Sequence, residues 1–465
     1  MTARAQPVGV LGGDLAYPRL GMALLGGAAA VLAGLAAAGL GPLALGIPVA
    51  GAIVYLLVRY PLVLYIAFLY IGLFKGQGII ERLPVDATLV LGLLLGGVCL
   101  QRLLAGRFRL PPMMLALPVV LIATLMAISL VWTPEYVYGS EKTLKFATLT
   151  ALGAFAPFFL IEGRKDVRRL LVLLGVVGVI GAIIVFTLGT TAGQDQGRLE
   201  FSGAANTIFT SRFLLTGAFI LLLAPLFGLW KRWRGGIVLT GLVVVAIAAS
   251  IGSRGPVVAF ALALVCTIAA VVLREPRRIV PVLVLVMAGI AVLPFISLPE
   301  TSSERLGNLI HNPSGTFEQD LRSRLYEKGI ELAEEHPVRG IGAGGFFNYS
   351  YVVTNREERY PHNVFIETAA ELGIVPALLL AASVLALIVA LYRRAWAAWG
   401  EDRTTIYLLA GVFLLNLFAT QFSGDFNDNK TFWAMLGVGW LVARYGVGGG
   451  ASERSEGVLS PAGVK

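Results

Sequence analysis

Long apolar runs recur along the chain between residues 20 and 446. Most of them are about 17 to 25 residues long, the length that a helix needs to cross about 30 Å of hydrocarbon. Most are also apolar all round, whereas the helices of a soluble repeat protein would carry an apolar stripe on one face. The pattern predicts an all-α polytopic membrane protein with about fourteen transmembrane helices, within a range of about twelve to fourteen.

The predicted spans follow one another closely, with short loops between most of them. Residues 43–58 and 61–74 are two short runs on either side of Arg59 and Tyr60, so this stretch is also open to a tilted or re-entrant arrangement and a different count. The predicted spans lie near residues 20–41, 43–58, 61–74, 84–101, 112–132, 143–161, 169–188, 206–229, 235–251, 255–273, 278–297, 364–392, 404–422 and 430–446.

Composition supports the membrane class and excludes two others. The chain has 465 residues, of which 57% are hydrophobic and only 14% charged, and its mean hydropathy is +0.79, too apolar for a soluble globule of this size. Its formal net charge of +9 arises from basic residues scattered over short loops and not from one basic face, so we expect no nucleic-acid partner. Membrane lipids are the surroundings that this composition predicts.

The basic residues occupy every second loop. The intervening short loops, such as residues 133–142 and 190–205, are poor in Lys and Arg. Since Lys and Arg accumulate on the cytoplasmic side of a membrane, the alternation predicts that both termini are cytoplasmic and that the longest loop lies on the outer, periplasmic face. The basic set is Arg102, Arg107, Arg109, Arg164, Lys165, Arg168, Arg169, Lys231, Arg232, Arg234, Arg274, Arg277, Arg278, Arg393, Arg394 and Arg403.

This topology divides the chain into four parts. Residues 1–297 form a transmembrane bundle of about eleven spans, residues 298–361 the large periplasmic loop, and residues 362–446 the C-terminal transmembrane helices. Residues 447–465 are rich in Gly, Ser and charge, which predicts a disordered cytoplasmic tail. Within the loop, residues 317–335 place apolar side chains at helical spacing, which predicts an amphipathic helix lying at the membrane surface.

Three arginines are candidates for binding an anionic ligand. Arg254 stands among small residues in a short turn between two apolar runs, where a ligand could approach closely, although an arginine that extends to the interface is the alternative. Arg322 and Tyr326 share one face of the predicted loop helix, with Arg324 on an adjacent face. Guanidinium forks suit phosphate oxygens, but local ion pairs with Glu327 would explain the same pattern.

Polar residues at two other predicted outer positions could also act in chemistry. His362 opens the run that follows the long loop, with Asn363 beside it, and a histidine is the usual general base near neutral pH. A boundary histidine that only caps a helix is the alternative. Asp425 and Asp428 fall in the last predicted outer turn, where they could orient a base, bind sugar hydroxyls, or keep the turn hydrated.

A glycine-rich segment at residues 340–345 has the spacing of a dinucleotide-binding fingerprint. It follows a predicted helix and a proline, with no strand before it, so we reject that interpretation. A tight turn whose backbone amides face an anion is the alternative that we retain. No cluster of residues has the spacing of metal ligands, so we expect neither a metal nor another cofactor.

An ordered series of motifs resembles the O-antigen ligase and O-antigen polymerase superfamily. A serine-arginine-glycine turn at 253–255 adds to it, and the resemblance covers about 120 residues from Arg254 to Gly373. The motifs are Arg322-Ser323-Arg324-Leu325-Tyr326, His336-Pro337-Val338-Arg339-Gly340-Ile341-Gly342-Ala343-Gly344-Gly345-Phe346, Pro361-His362-Asn363-Val364-Phe365-Ile366-Glu367 and Glu371-Leu372-Gly373. The family commonly has tryptophan where this chain has Tyr326.

The resemblance implies a membrane glycosyltransferase in a bacterial inner membrane, with a periplasmic active site. Its donor would be an oligosaccharide on undecaprenyl diphosphate, and its acceptor lipid A core for a ligase or another lipid-linked glycan for a polymerase. Arg254 and Arg322 would hold the diphosphate, with Arg324 as an alternative to Arg322. His362 would be the base of an inverting, metal-independent transfer, supported by Tyr326, Asn363 and the two aspartates, and a chain-length regulator protein is an expected partner.

Two questions stay open at this point. Fourteen spans slightly favour a polymerase over a ligase, whereas the set of two arginines and one histidine resembles ligases well. A lipid-linked oligosaccharide flippase or another transporter also suits fourteen spans, but a transporter should carry charges or broken helices near the midplane of two related halves. Here the polar residues concentrate in one outer loop.

Overall fold

The computed structural model describes residues 42–74, 86–189, 207–251, 253–280, 283, 321–354, 360–422, 424–427 and 429–447. All regular secondary structure in these residues is helical, as the sequence predicts. The chain divides into two compact units, Met1–Leu64 and Tyr65–Lys465. The predicted first span at 20–41 and the predicted disordered tail from residue 448 onward lie outside the described residues.

The described helices are numbered in chain order. The first unit holds α1 (Pro42–Arg59) and the start of α2 (Pro61–Tyr70), which a 3₁₀ turn extends to Phe74. The second unit continues with α3 (Ala87–Leu104), α4 (Met113–Ser129), α5 (Tyr136–Leu160), α6 (Arg164–Leu188), α7 (Thr207–Leu226), α8 (Arg234–Ser250), α9 (Arg254–Arg274), α10 (Leu321–Glu335), α11 (Phe347–Thr354), α12 (Val364–Leu372), α13 (Ile374–Ala397), α14 (Gly400–Ala419) and α15 (Lys430–Tyr445).

Eight of the described helices are long and apolar enough to cross a membrane, or up to nine if one bent pair counts as a single span. The protein is therefore a multi-pass membrane protein, but the described residues do not reach the fourteen spans that the sequence predicts. The bent pair is Gly51–Arg59 with Pro61–Phe74, whose axes differ by 112°, so the predicted spans 43–58 and 61–74 form a broken span or a re-entrant segment. Proline at the break explains the bend, since it cannot donate the backbone hydrogen bond that a continuous helix needs.

The predicted span 364–392 is also divided. Helix α12 ends at Leu372 and α13 begins at Ile374, with Gly373 between them at a φ of +96°. A β-carbon on Gly373 would overlap the carbonyl of Val338, so only glycine fits there. The division leaves α12 as a short helix outside the candidate spans.

Two helices lie at the centre of the second unit. In both α7 and α14, 83% of the span is buried within the protein, whereas only 17% of the span that ends with α8 is buried. Helices α6 and α7 touch through their backbones, because a β-carbon on Gly178 would lie 2.7 Å from the Cα of Gly217. Small residues allow such close approach between helices in a membrane.

The amphipathic helix of the long loop is confirmed as α10, which begins at Leu321. Its apolar face does not point to lipid. Leu325 and Leu332 are fully buried in a small core with Ile341, Phe346 and Ala370, so protein covers the face that the sequence assigns to the membrane surface. Residues 298–320, which form the first part of the predicted loop, lie outside the described residues.

Candidate functional site

The end of α14 joins the segments that carry the candidate residues. The carbonyl of Thr420 accepts a hydrogen bond from the backbone N–H of Val364, at 3.3 Å, and the next carbonyl, of Gln421, accepts one from the Tyr326 hydroxyl. Phe422 lies beside the start of α9, where its Cβ would be 2.9 Å from a β-carbon on Gly255. Helices α9, α10 and α12 therefore meet around three consecutive residues.

Two of the candidate arginines come together at this meeting point. Arg254 is the first residue of α9, and Nη1 of Arg322 lies 3.9 Å from the position of a β-carbon on Gly255. Both arginines are half-buried, and a helix N-terminus carries a partial positive charge that adds to theirs. Arg324 is exposed to solvent on α10, so the structure separates the two loop arginines by burial.

His362 lies in the turn that leads into α12. Its φ is +60°, in the left-handed region that residues other than glycine rarely adopt. Its ring packs edge-on against that of Tyr360, with the centroids 4.8 Å apart. Asn363 caps α12, since its Oδ1 accepts hydrogen bonds from the backbone N–H groups of Phe365 at 3.0 Å and Ile366 at 3.2 Å. The predicted capping role therefore belongs to Asn363, and His362 is held in a strained conformation beside it.

Helix α10 packs against this histidine turn. A β-carbon on Gly329 would overlap Ile366 and would lie 3.5 Å from Cβ of Pro361, the residue before His362. Gly329 lies in the middle of α10 and Arg322 lies near its start. The packing of Gly329 on the turn therefore fixes where the start of the helix presents Arg322.

Asp425 lies apart from this meeting point, in the turn between α14 and α15. Its carboxylate accepts hydrogen bonds from the Tyr138 hydroxyl at 3.2 Å and from the backbone N–H of Asn427 at 2.7 Å. The side chain is buried, so it acts in a network within the protein. Asp428, its predicted companion, lies outside the described residues.

Comparison with known proteins bears on the region that holds most of these residues. Residues 237–381 match the family model described as O-antigen ligase. We call residues 237–381 the O-antigen ligase family domain. This domain spans α9, α10 and α12 with Arg254, Arg322 and His362, so the resemblance predicted from the motifs is confirmed.

Two further comparisons give less. No curated protein matches the chain. A chain from the solved structure entitled "Structural coordination of polymerization and crosslinking by a peptidoglycan synthase complex" is 20% identical, and the match covers 72% of this chain and 98% of that one with a TM-score of 0.42.

The glycine turn of the O-antigen ligase family domain, residues 340–345, does not present its amides to an anionic ligand. Every backbone N–H in it donates to a protein acceptor, so the interpretation as an anion-binding turn is wrong. The acceptors are the carbonyls of His336, Ala370, Glu371 and Gly342, the hydroxyl of Ser129 and the carboxylate of Glu371. The turn instead connects α12, which lies within this domain, to α4, which precedes the domain in the sequence.

The sequence analysis did not predict a buried charge cluster that joins two glutamates of the ligase-family domain to a lysine outside it. Nζ of Lys142 lies 2.6 Å from Oε1 of Glu367 and 2.6 Å from Oε2 of Glu371, and all three side chains are fully buried. The sequence places Lys142 at the end of an outer loop, but the structure places it inside α5. Two glutamates four residues apart beside an apolar run were the signal that could have indicated the cluster.

The two carboxyl groups of this cluster share a protein environment that opposes their ionisation. Burial raises the pKa of Glu367 well above its usual value, with added repulsion from Glu371 and Asp425, although the ammonium of Lys142 acts in the opposite direction. Burial also raises the pKa of Glu371, which Lys142 and the amide of Gly344 partly offset. Glu371 has the more favourable contacts, because it also accepts the amide of Gly344, so burial opposes the ionisation of Glu371 less than that of Glu367.

A second buried cation was also missed by the sequence analysis. Arg212 lies within α7 and is 3% exposed, and its Nη1 donates to Oδ1 of Asn429 at 2.6 Å. The amide nitrogen of Asn429 in turn donates to the carbonyl of Asp425 at 2.7 Å. The turn that carries Asp425 is thus fixed from both sides, by α7 and by α5. In the part of the chain that the structure describes, no three or more His, Cys, Asp or Glu residues are grouped to hold a metal ion.

Proposed function

We propose that this protein is a membrane glycosyltransferase of the O-antigen ligase and polymerase type, which transfers a surface glycan from undecaprenyl diphosphate on the periplasmic face. The observation that carries the proposal is the meeting of Arg254, Arg322 and the His362 turn around the end of α14. These residues come from segments far apart in the sequence, and all belong to the ligase-family domain.

The two arginines would bind the donor diphosphate. When the glycosidic bond to the carrier breaks, negative charge accumulates on the departing diphosphate oxygens, and preorganised guanidinium groups stabilise that charge. Arginine forks match phosphate oxygens and keep their charge at every physiological pH. Arg254 is the first residue of α9, so the partial positive charge of the helix N-terminus adds to the charge of the arginine.

His362 would act as the base. The acceptor hydroxyl oxygen attacks the anomeric carbon, and the bond from that carbon to the diphosphate oxygen breaks with its electron pair leaving on the diphosphate. The hydroxyl proton passes to the imidazole of His362, and the configuration at the anomeric carbon inverts. A histidine held in a left-handed conformation is a position where backbone strain serves a function, and histidine is the side chain that most often acts as a general base.

The acceptor defines the two subtypes of this function. Lipid A core as acceptor would make the protein a ligase, and a second lipid-linked unit would make it a polymerase that works with a chain-length regulator protein. Both use the same donor and the same charge neutralisation, so we expect transfer to need no metal ion. With the active site on the periplasmic face, we expect both termini of the chain to lie in the cytoplasm.

The test is glycan transfer by the purified full chain in nanodiscs. The donor is a synthetic polyprenyl-diphosphate oligosaccharide, and each acceptor is supplied separately, with and without chelator. Longer lipid-linked chains that form in chelator would indicate a polymerase, and product on lipid A core would indicate a ligase. No product on either acceptor, together with movement of labelled donor across proteoliposomes, would overturn the proposal in favour of a flippase.

The variants are chosen so that unfolding cannot explain the result. His362→Gly removes the imidazole but suits a φ of +60°, so the protein should fold as well as the wild type and lose transfer. Arg322→Ala should reduce transfer by about a hundredfold, whereas Arg324→Ala, on the exposed side of the same helix, should retain it. Equal losses at the two arginines would remove Arg322 from the site.

A further inference from the structure

A buried ion pair links two parts of the protein that lie far apart in sequence. Lys142 in α5 and Glu371 in α12 are separated by 229 positions, and their charged atoms lie 2.6 Å apart with no exposure to solvent. Removing a charge from water is unfavourable unless it is paired and hydrogen-bonded. Replacement of such a pair by apolar residues is often neutral or stabilising, so stability alone does not explain why the charges are here.

Glu371 and Glu367 both pair with Lys142 but differ in their other contacts. Oε2 of Glu371 also accepts the backbone N–H of Gly344 at 3.0 Å, and its carbonyl accepts that of Gly342 at 3.0 Å. Glu367 lies one helical turn earlier, and its side chain contacts Nζ of Lys142. Glu371 therefore joins the glycine turn to α12 through its carboxylate as well as its carbonyl, next to the carbonyl of Ala370, which accepts the N–H of Ile341.

The same turn contacts the other helices around the site. The N–H of Ala343 donates to the Ser129 hydroxyl at 2.9 Å, and its carbonyl accepts from the Thr133 hydroxyl at 2.8 Å, which anchors the turn to the end of α4. On its other side, Ile341 and Phe346 pack in the small core with Leu325 of α10. The turn thus contacts both α10, which presents Arg322, and α12, which begins after His362, and these two helices also pack directly on each other at Gly329 and Ile366.

We propose that Glu371 is a positioning residue of the transfer site. Through Gly344 its carboxylate fixes the glycine turn against α12, and the turn fixes α10, so Glu371 sets the placement of Arg322 relative to His362. Lys142 supplies the charge that lets this carboxylate stay ionised inside the protein. The inference rests on the proposed function, because the placement matters only if the two residues act on one substrate.

The experiment compares Glu371→Leu with Glu367→Gln in the transfer assay, with rates expressed per folded protein from size-exclusion chromatography. Each variant leaves one of the two carboxyl groups beside Lys142, so the ammonium keeps a carboxyl partner in both. We expect Glu371→Leu to lower kcat by about tenfold or more, because small misplacements of reacting groups have large effects on rate. Glu367→Gln keeps the Gly344 contact, so its kcat should stay within about threefold of the wild type.

A merely structural role for Glu371 gives a different result. It would reduce the yield of folded protein but leave kcat of the folded fraction unchanged, and that outcome overturns the inference. Glu371→Gln, whose amide oxygen can still accept from Gly344, should recover most of the rate lost in Glu371→Leu. An equal loss of kcat in Glu367→Gln would also overturn it, since loss of either carboxyl group beside Lys142 would then have the same effect, whether or not it contacts Gly344.

A second pair of variants serves if Glu371→Leu does not fold. Ser129→Ala removes the acceptor of the Ala343 N–H on the other side of the turn, and Ser140→Ala removes a hydroxyl that bonds only locally, to the carbonyl of Val137. We expect kcat to fall about threefold or more in Ser129→Ala alone. Equal rates in the two serine variants contradict the inference, whereas absence of transfer in the wild type would contradict the proposed function instead.

Discussion

Arg322 reaches the first turn of α9, where its Nη1 lies 3.9 Å from the position that a β-carbon on Gly255 would occupy. Arg254 precedes that glycine, so Arg322 reaches α9 one residue from Arg254. The same position lies 2.9 Å from Cβ of Phe422, and a Cβ atom is bonded to the backbone and cannot rotate out of the way.

Gly255→Ala should therefore reduce transfer. The added methyl group must displace Phe422 or α9, and either movement separates Arg254 from Arg322, so we expect kcat/KM for the donor to fall by about tenfold. The control is Gly96→Ala in α3, since no atom lies within 4 Å of its added β-carbon. Steady-state kinetics of both variants would check this, and equal activity in the two would show that the close approach at Gly255 is unimportant.

Tyr326→Phe should weaken the contact between α10 and α14. The variant loses the hydrogen bond from the hydroxyl to the carbonyl of Gln421, which corresponds to about 1 kcal/mol of stability. Because Arg322 lies one turn away on the same helix, kcat/KM should also fall severalfold. Tyr349→Phe is the matched control, because the ring of Tyr349 packs on the small core that contains Leu325 and Leu332 of α10. Thermal unfolding and transfer rates of both variants would test the difference.

The apolar runs and the motif series were sufficient to predict the class of the protein and the residues that meet at the end of α14. Hydropathy could not show that the runs at 43–58 and 61–74 bend by 112°, because the bend depends on backbone geometry around Pro61. The Lys142–Glu371 pair could not be predicted either, since 229 positions separate its members. Only the packing of α5 against α12 brings them together.

The glycine turn shows the same limit in another way. Its spacing predicted a tight turn, which the structure confirms, but the acceptors of four of its six amides come from α4 and α12. Nothing local to residues 340–345 reveals that these four amides are occupied. The left-handed conformation of His362 was equally hidden, because only a small fraction of non-glycine residues adopt it, even though histidine does so more often than most.

Gly340→Ala should destabilise the protein by more than backbone strain alone. Gly340 has a φ of +64°, and its β-carbon would overlap the carbonyl of Glu371. Gly106 has a φ of +66° but no atom within 4 Å of an added β-carbon. Gly106→Ala should therefore cost about 1 kcal/mol from the left-handed conformation, and Gly340→Ala several times as much. Unfolding midpoints in detergent measure both, and similar midpoints would show that the turn relaxes around the methyl group.

Stability should decline as pH rises because of Glu367. Its pKa in the folded protein is raised, mainly by burial, in surroundings that also contain Lys142, Glu371 and Asp425. Below pH of about 4.3 the carboxyl is protonated in both the folded and unfolded states, and its contribution is fully present. As pH rises from there through the raised folded pKa, unfolding is favoured by up to about 1.4 kcal/mol per pH unit.

Glu367→Gln removes this proton equilibrium but keeps the shape of the side chain. Its unfolding midpoint should fall less between pH 5 and pH 8, about the interval above the ordinary carboxyl pKa, than that of the wild type. Glu371 also has a raised pKa, so some decline should remain in the variant. Parallel curves for the two proteins would mean that Glu367 has the same pKa in the folded and unfolded states, and that another group causes the decline.

Asn363→Ala should affect the rate more than the stability. The substitution leaves the backbone N–H groups of Phe365 and Ile366 without their acceptor, and loss of such a cap costs about 0.5–2 kcal/mol. His362 is the adjacent residue and holds a sparsely populated φ that its surroundings must maintain. With the cap removed, the histidine can relax toward an ordinary conformation, so kcat should fall by about tenfold or more while donor KM changes little.

A cap at the start of another helix separates the two effects. Asp86 caps α3 by accepting the backbone N–H of Thr88 at 2.7 Å, far along the chain from His362, so Asp86→Ala should lose comparable stability without losing kcat. Asn363→Asp keeps a side chain that caps equally well and should retain most of the rate. If Asn363→Ala and Asp86→Ala lost activity only in proportion to their loss of folded protein, the cap would hold α12 but not His362, and the strained turn would have no part in catalysis.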